Sequence, residues 1–386
     1  MSAFCPARIS CRWPAFAIAV ALTGMAVAQQ PAATAPGAPA AADPYQAGSL
    51  VVAKVKLQNK ETIYAQPGQA MVVVSSDETN IVVRAVDGES HLRVARTAMV
   101  PIQQSAPLYD ELIKATPTDA NLFLARANVY SARGESDKAV ADYRQAIKLD
   151  DQYEAAYVSL AEAQMRLADY DGVMQTVASV MKLDPENPTY FVLRGVAYRH
   201  QEKLDNAIAE FTEALKRKPD HAPALSSRGF MYYLKRDYTN AVKDFDAWVK
   251  VDPQNAMALN NRGYNRQFAG DFVGALQDYD KAIEIAPQFA LAFQNKAWLL
   301  ATCPDDKIRN GNAAFEAASK ACVMRSYKVP EDLKALAAAY AELKDFKHAI
   351  EFQQRVVDSK EGEGKSVEQN VLDTYKQNQP FRIKVE

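Results

Sequence analysis

Metal ligation and nucleophilic or acid–base catalysis draw on histidine, cysteine and clustered carboxylates, and this 386-residue chain spends four residues on each of the first two. His91, His200, His221 and His348 fall in different predicted elements, with none of the short spacings that metal sites use. There is no phosphate-binding glycine loop, no G-x-S-x-G and no cysteine–histidine arrangement. Cys5 and Cys11 sit in an apolar leader. Cys303 follows Thr302 in a polar turn, and a reactive thiol needs an exposed, electropositive setting, so it is read as a small packed residue. These residues imply no enzyme, no metal and no cofactor.

The arginines carry a sharper pattern. Arg126, Arg194, Arg228 and Arg262 are each followed 16 residues later by an acid: Asp142, Glu210, Asp244 and Asp278. Where the same spacing places Leu160 or Leu336 instead, the later position holds Thr176 or Phe352. Charges that appear and vanish together within one chain are expected to pair across two helices, partly buried, so that losing one strands the other. They are read as structural rather than as a ligand site.

Residues so spaced need a repeating scaffold. Between residues 188 and 289 one pattern of 34 residues is written three times. Its landmarks are Gly195, Ala207, Phe211 and Pro219, then Gly229, Ala241, Phe245 and Pro253, then Gly263, Ala275, Tyr279 and Pro287. Small residues let two helices approach, and a proline ends the second of them. The pattern resembles the tetratricopeptide repeat (TPR) family. Steps of 34 back from Pro287 reach Pro185, Asp151 and Pro117, which sets repeats at 120–153, 154–187, 188–221, 222–255 and 256–289. The second is degenerate, with Val173, Val177 and Val180. A sixth begins at Ala290 with an expanded turn from Thr302 to Gly311, and a seventh spans 330–363.

The resemblance implies a concave face lined by the first helix of each repeat at positions two, five, nine, twelve and thirteen. Carried onto this chain, those positions give Phe230, Tyr233, Asn260, Tyr264, Gln267, Phe268, Gln294 and Trp298. Amides beside aromatics suit an extended peptide, the amides pairing with its main chain and the rings holding its side chains. Periodicity leaves Tyr233 and Phe268 open between groove and helix packing, while Tyr264 and Trp298 are expected to be exposed. The Lys/Asn/Arg set with which chaperone-binding TPR domains grip a terminal carboxylate is not found.

The rest of the chain frames this array. Arg8 and Arg12 precede an apolar run from Pro14 to Val27, and Ala26-Val27-Ala28 is a cleavage pattern, so 1–28 reads as a signal peptide cut between Ala28 and Gln29. The run is short for a membrane span, and no integral span is expected after cleavage. Residues 29–48 read as an Ala/Pro-rich flexible linker. From 49 to 103 short runs, Leu50–Leu57, Thr62–Tyr64, Ala70–Ser75, Asn80–Val86, His91–Ala95 and Met99–Ile102, predict a small closed barrel. Its ending, His91-Leu92-Arg93-Val94 and Ala98-Met99-Val100-Pro101, resembles the close of bacterial SH3-like domains. With Tyr64 its only aromatic, it lacks the groove that proline-rich ligands need. Residues 104–119 read as a connecting half-repeat helix, 120–363 as the TPR solenoid, and 364–386 as a C-terminal capping helix and tail, with Val367, Val371, Leu372 and Tyr375 on its apolar stripe.

The predicted fold class is therefore mainly α: a TPR α-solenoid of about seven helical hairpins preceded by a small all-β SH3-like barrel. The order resembles exported bacterial TPR proteins, and a secreted or periplasmic location follows. Without the leader, 43 basic residues face 47 acidic ones, which argues against a nucleic-acid surface. The expected function is a non-enzymatic scaffold that binds a protein or peptide partner in the concave groove. The alternative is a cell-envelope protein whose SH3-like domain recognises wall glycopeptide while the repeats recruit partners. Antiparallel helices place Cys303 and Cys322 roughly 15 Å apart, beyond the reach of a disulfide, so two free thiols are expected, Cys322 buried and Cys303 partly covered.

Overall fold

A computed structural model describes residues 45, 48–54, 57–58, 63–65, 70–84 and 91–383. The predicted leader and nearly all of the linker lie outside the described residues. Those described form two compact units that divide between Arg217 and Lys218.

The first unit opens with seven strands: β1 (Leu50–Ala53), β2 (Leu57–Gln58), β3 (Ile63–Ala65), β4 (Ala70–Ser76), β5 (Asn80–Arg84), β6 (His91–Ala95) and β7 (Met99–Pro101). Five make an antiparallel sheet in the order β6-β5-β4-β1-β7, and β2 pairs with β3 separately. The expected closed barrel does not form among the described residues, since the sheet ends on β6 and β7. Burial explains how an open sheet is finished. One face gathers Val51, Ala53, Met71, Val73, Ile81, Val83 and Met99 into a core. On the other, Val52 packs with Ile102, Ala106, Tyr109 and Val129, so helices rather than strand closure cover it. Tyr45, expected in the flexible linker, is half-buried against the first core.

Helices then follow in pairs. α1 (Ala106–Ala115) is the lone connector, before α2 (Ala120–Ala132) with α3 (Ser136–Leu149), α4 (Glu154–Arg166) with α5 (Tyr170–Val180), and α6 (Pro188–His200) with α7 (Leu204–Arg217). The second unit holds α8 (Ala222–Leu234) with α9 (Tyr238–Val251), α10 (Ala256–Phe268) with α11 (Phe272–Ile285), α12 (Ala290–Thr302) with α13 (Gly311–Met324), and α14 (Pro330–Glu342) with α15 (Phe346–Asp358). α16 (Gly362–Lys376) ends the array of sixteen described helices. Thr116, Asp252 and Ala286, each before a proline, leave the helical region at the ends of α1, α9 and α11, with φ between −130° and −137°. Asp150, before Asp151, takes the same shape at −142°.

Each tight hairpin turn places one residue in the left-handed region, at Gly134, Ala168, Glu202, Arg236, Gly270 and Lys344. The first five are 34 apart. The geometry is a Schellman cap: the next amide bonds back to the helix, as Glu135 N–H does to the Tyr130 carbonyl (2.8 Å) and Asp237 N–H to Tyr232 (2.9 Å). The next step of 34 falls on Pro304, which cannot take a positive φ and has no N–H to give. The cap is therefore impossible after α12, and the chain takes the longer path from Cys303 to Asn310.

Within hairpins, the small residues allow close crossing. A Cβ on Gly195 would lie 2.5 Å from the Phe211 ring, and one on Gly229 would lie 3.1 Å from Phe245. Beside each crossing sits the expected ion pair. Arg126 Nε and Nη2 donate to Asp142 at 2.7 and 2.8 Å, Arg228 to Asp244 at 2.8 and 2.7 Å, and Arg262 to Asp278 at 3.0 and 2.7 Å. Arg194 makes one bond to Glu210 at 2.6 Å. Arg126 and Arg262 also reach the helix before, at Asp110 (2.7 Å) and Asp246 (2.8 Å), each 16 residues back. Where the charges are missing, Thr176 Oγ1 donates to Gln164 Oε1 at 2.8 Å instead.

Cys303 and Cys322 are free and wholly buried, in separate clusters. Cys303 is thus better covered than expected, because it packs on Tyr279 and Leu299 instead of joining the open turn. Burial raises both thiol pKa values, that of Cys322 to about 12.

Two outcomes follow from this packing. Asp244 is buried, so Arg228→Ala should destabilise by about 1–3 kcal/mol, and adding Asp244→Ala should restore part of the loss. Thermal or urea unfolding of both variants checks it, and a double variant no better than the worse single one refutes the pairing. Both cysteines should resist alkylation at pH 8 in the native protein. In the mature chain, lacking Cys5 and Cys11, two thiols should react after denaturation without reductant.

Candidate functional site

The first helices of four consecutive hairpins, α8, α10, α12 and α14, line one cavity of about 550 Å³ within the second unit. Seven of the eight residues singled out from the sequence lie on it: Phe230, Tyr233, Asn260, Tyr264, Phe268, Gln294 and Trp298. Gln267 does not. It is 1% exposed and its Oε1 accepts the Tyr279 hydroxyl at 3.2 Å, so position twelve of that helix faces its own partner α11 rather than the groove.

One wall is aromatic. Phe230 and Tyr233 lie 5.7 Å apart between ring centroids, Tyr233 meets Tyr264 edge-on at 5.6 Å, and Tyr264 reaches Phe268 at 4.9 Å. Tyr238, from α9, backs the row by stacking on Phe268 at 5.1 Å. The choice left open for Tyr233 and Phe268 resolves as both roles, since each ring packs between helices and edges the cavity. Tyr264, expected to be exposed, is half-buried among these rings. Desolvation holds its phenol pKa well above the ordinary value, so it stays a neutral hydroxyl.

The other wall is a run of amides that crosses from α10 to α12. Asn295 Nδ2 donates to Asn260 Oδ1 at 2.9 Å, Asn260 Nδ2 to Asn261 Oδ1 at 3.3 Å, and Asn265 Nδ2 to the Asn261 carbonyl at 2.8 Å. Asn265 Oδ1 is buried and has no hydrogen-bond donor among the described residues. Gln294 Oε1 accepts from Arg325, which is itself paired with the buried Asp332. Asn261, Asn265 and Asn295 were missed because they fall at positions six and ten of their repeats. Asn261 and Asn295 do stand 34 apart, which was the available signal.

The far end is closed by elements outside the repeat pattern. Trp298, half-buried, faces Phe381 at 5.8 Å, with the Lys334 ammonium 4.9 Å over its ring. Lys334 in turn pairs with Glu368 of α16 at 2.7 Å. Val367, expected on the buried stripe of α16, is 57% exposed and lines the cavity, whereas Val371, Leu372 and Tyr375 are buried. The arrangement suits binding. Among the described residues no three His, Cys, Asp or Glu side chains come together as a metal site.

Comparison with known proteins bears on the helical repeats. Residues 108–141, 127–167, 175–222 and 232–288 match models described as tetratricopeptide repeats. A curated rice protein (Oryza sativa subsp. japonica), named Protein SGT1 homolog, is 38% identical over 66 residues, which are 17% of this chain and 18% of that protein. Solved structures with a similar course include YrrB, described as a TPR protein with an unusual peptide-binding site (24% identity, 50% of this chain, 98% of that one, TM-score 0.38). Yeast Tom70 is 20% identical over 72% of this chain and 59% of that one, with a TM-score of 0.48. The matched segments carry the tetratricopeptide repeat, and such repeats generally mediate protein–protein contacts.

The aromatic wall generates a stability prediction. Tyr264→Phe should leave the thermal midpoint nearly unchanged, while Tyr264→Ala should cost about 2–4 kcal/mol because two neighbouring rings, Tyr233 and Phe268, lose a partner. Calorimetry of the two variants tests whether the ring is structural. Equal midpoints would show that it is not.

Proposed function

We propose that this protein is a non-enzymatic interaction scaffold whose cavity, framed by α8 to α14, takes an extended segment of a partner protein. The observation that carries the reading is the division of one cavity into an aromatic wall and an amide wall. An extended peptide has both kinds of surface. Its alternate side chains suit rings, and its main-chain N–H and C=O groups suit Asn261, Asn265 and Asn295.

The remaining parts fit a protein that works outside the cytoplasm. The leader pattern at 1–28 supports export to a secreted or periplasmic location, and the strand sequence supports an SH3-like origin for the N-terminal sheet. We assign that sheet the task of covering the start of the helical array, because Val52 and its neighbours pack on α1 and α2. Retention of the chain on purified cell-wall glycopeptide would instead favour an envelope-binding role for the sheet.

Phe230 on α8 and Trp298 on α12 line the cavity from different hairpins, so substitutions there read the groove at two places. Each change to Ala should weaken a captured partner by about tenfold or more, in line with aromatic hot spots near 2 kcal/mol. Crosslinked partners identified by mass spectrometry supply the ligand, and titration calorimetry supplies the affinities. Unchanged binding by both folded variants removes the groove from the partner's path.

A further inference from the structure

The end of α12 is unlike the other first-helix ends, and what completes it describes a ligand. In the tight hairpins the left-handed residue donates its N–H to the helix, as Ala168 does to the Met165 carbonyl (3.0 Å) and Arg236 to Tyr233 (2.9 Å). Pro304 has no N–H for the equivalent carbonyl, that of Ala301. Its bond comes from Arg382 Nη1 at 3.1 Å, 81 residues further along. The Leu300 carbonyl takes Asn310 N–H at 3.0 Å, and the Thr302 carbonyl takes Ile383 N–H at 3.0 Å.

Arg382 and Ile383 lie in a return segment, residues 377–383, which runs back from α16. Asn378, at φ +56°, reverses the chain with the same cap geometry used in the hairpin turns. Three contacts then follow in extended order. Phe381 lies against Trp298, Arg382 bonds Ala301 and pairs with Glu342 at 2.6 Å, and Ile383 pairs through its backbone with Thr302. Phe381 and Ile383 remain half-exposed and form part of the cavity lining. They are held by few bonds.

We propose that the surface made by Trp298, the open carbonyl end of α12 and Glu342 is a docking seat for an extended aromatic–arginine–aliphatic segment. Phe381-Arg382-Ile383 fills it in cis, and a partner segment of the same chemistry displaces it to enter the groove. The inference rests on the scaffold reading and names the partner's chemistry within it. The aromatic stacks on Trp298, the guanidinium meets a carboxylate and an orphan helix carbonyl, and the main chain donates to Thr302. An occupant tethered to the same chain competes at high local concentration, so the seat is masked but not lost.

The test uses a fluorescent peptide of residues 377–386 and the same peptide with Phe381, Arg382 and Ile383 changed to Ala. The full chain carrying Phe381→Ala, Arg382→Ala and Ile383→Ala should bind the first peptide about tenfold or more tightly than the unsubstituted chain does, and should ignore the second. Should that variant fail to fold, Arg382→Ala alone removes the ion pair, the Ala301 carbonyl bond and the guanidinium's bond to the Phe381 carbonyl while keeping both apolar side chains, and its affinity should fall in between. Equal affinity of substituted and unsubstituted chains, or no binding by a folded substituted chain, overturns the seat. So does a dimer that exchanges these segments between copies. If a crosslinked partner still depends on Phe230 and Trp298 while the peptide does not bind, the scaffold stands and only the seat is lost.

Discussion

A hairpin of two helices joined by a short turn closes only if one residue accepts a positive φ. Six hairpins here meet that condition, yet just two of them do so with glycine. The others place Ala168, Glu202, Arg236 and Lys344 there, at a steric cost on the order of 1 kcal/mol each. The array tolerates that cost because the crossing below each turn is tightly specified. Gly195 and Gly229 stand against aromatic rings, and paired charges of opposite sign bridge the same two helices. In the hairpins turned at Gly134, Glu202, Arg236 and Gly270, turn, crossing and ion pair are three readings of one geometry, while those at Ala168 and Lys344 do without the ion pair.

The cavity reuses structural side chains instead of adding separate ones. Tyr233 and Phe268 hold helices together with one face and offer the other to the groove, and Gln294 is steadied by an arginine already paired with a buried aspartate. A wall built in this way is preorganised, since its rotamers are set by packing before any ligand arrives. The same economy limits what variation the site can absorb. Changing a groove ring also changes the contact between two hairpins.

The period made the helical hairpins legible, because a proline, a small residue and a coupled charge pair each have a single physical role that recurs. Positions within a helix were less secure. Gln267 and Phe268 are neighbours in sequence, yet one turns toward Tyr279 and the other toward the cavity, a difference of about 100° that a positional rule blurs at its margin. The strands were found in nearly their true places, but whether they close depends on pairing between distant segments and on which face a helix covers. The return segment left no periodic trace at all. Its register is set by three contacts with residues far back in the chain.

Pro304 also orders events in time. Every other first-helix cap is completed within a few residues, so those hairpins can finish as soon as they leave the ribosome. The last turn of α12 must wait for residues 382 and 383, some eighty positions later. Until then two helix carbonyls and the Trp298 ring face water or whatever else is near. Among the first-helix ends described, this one stays open longest after its own hairpin has been made.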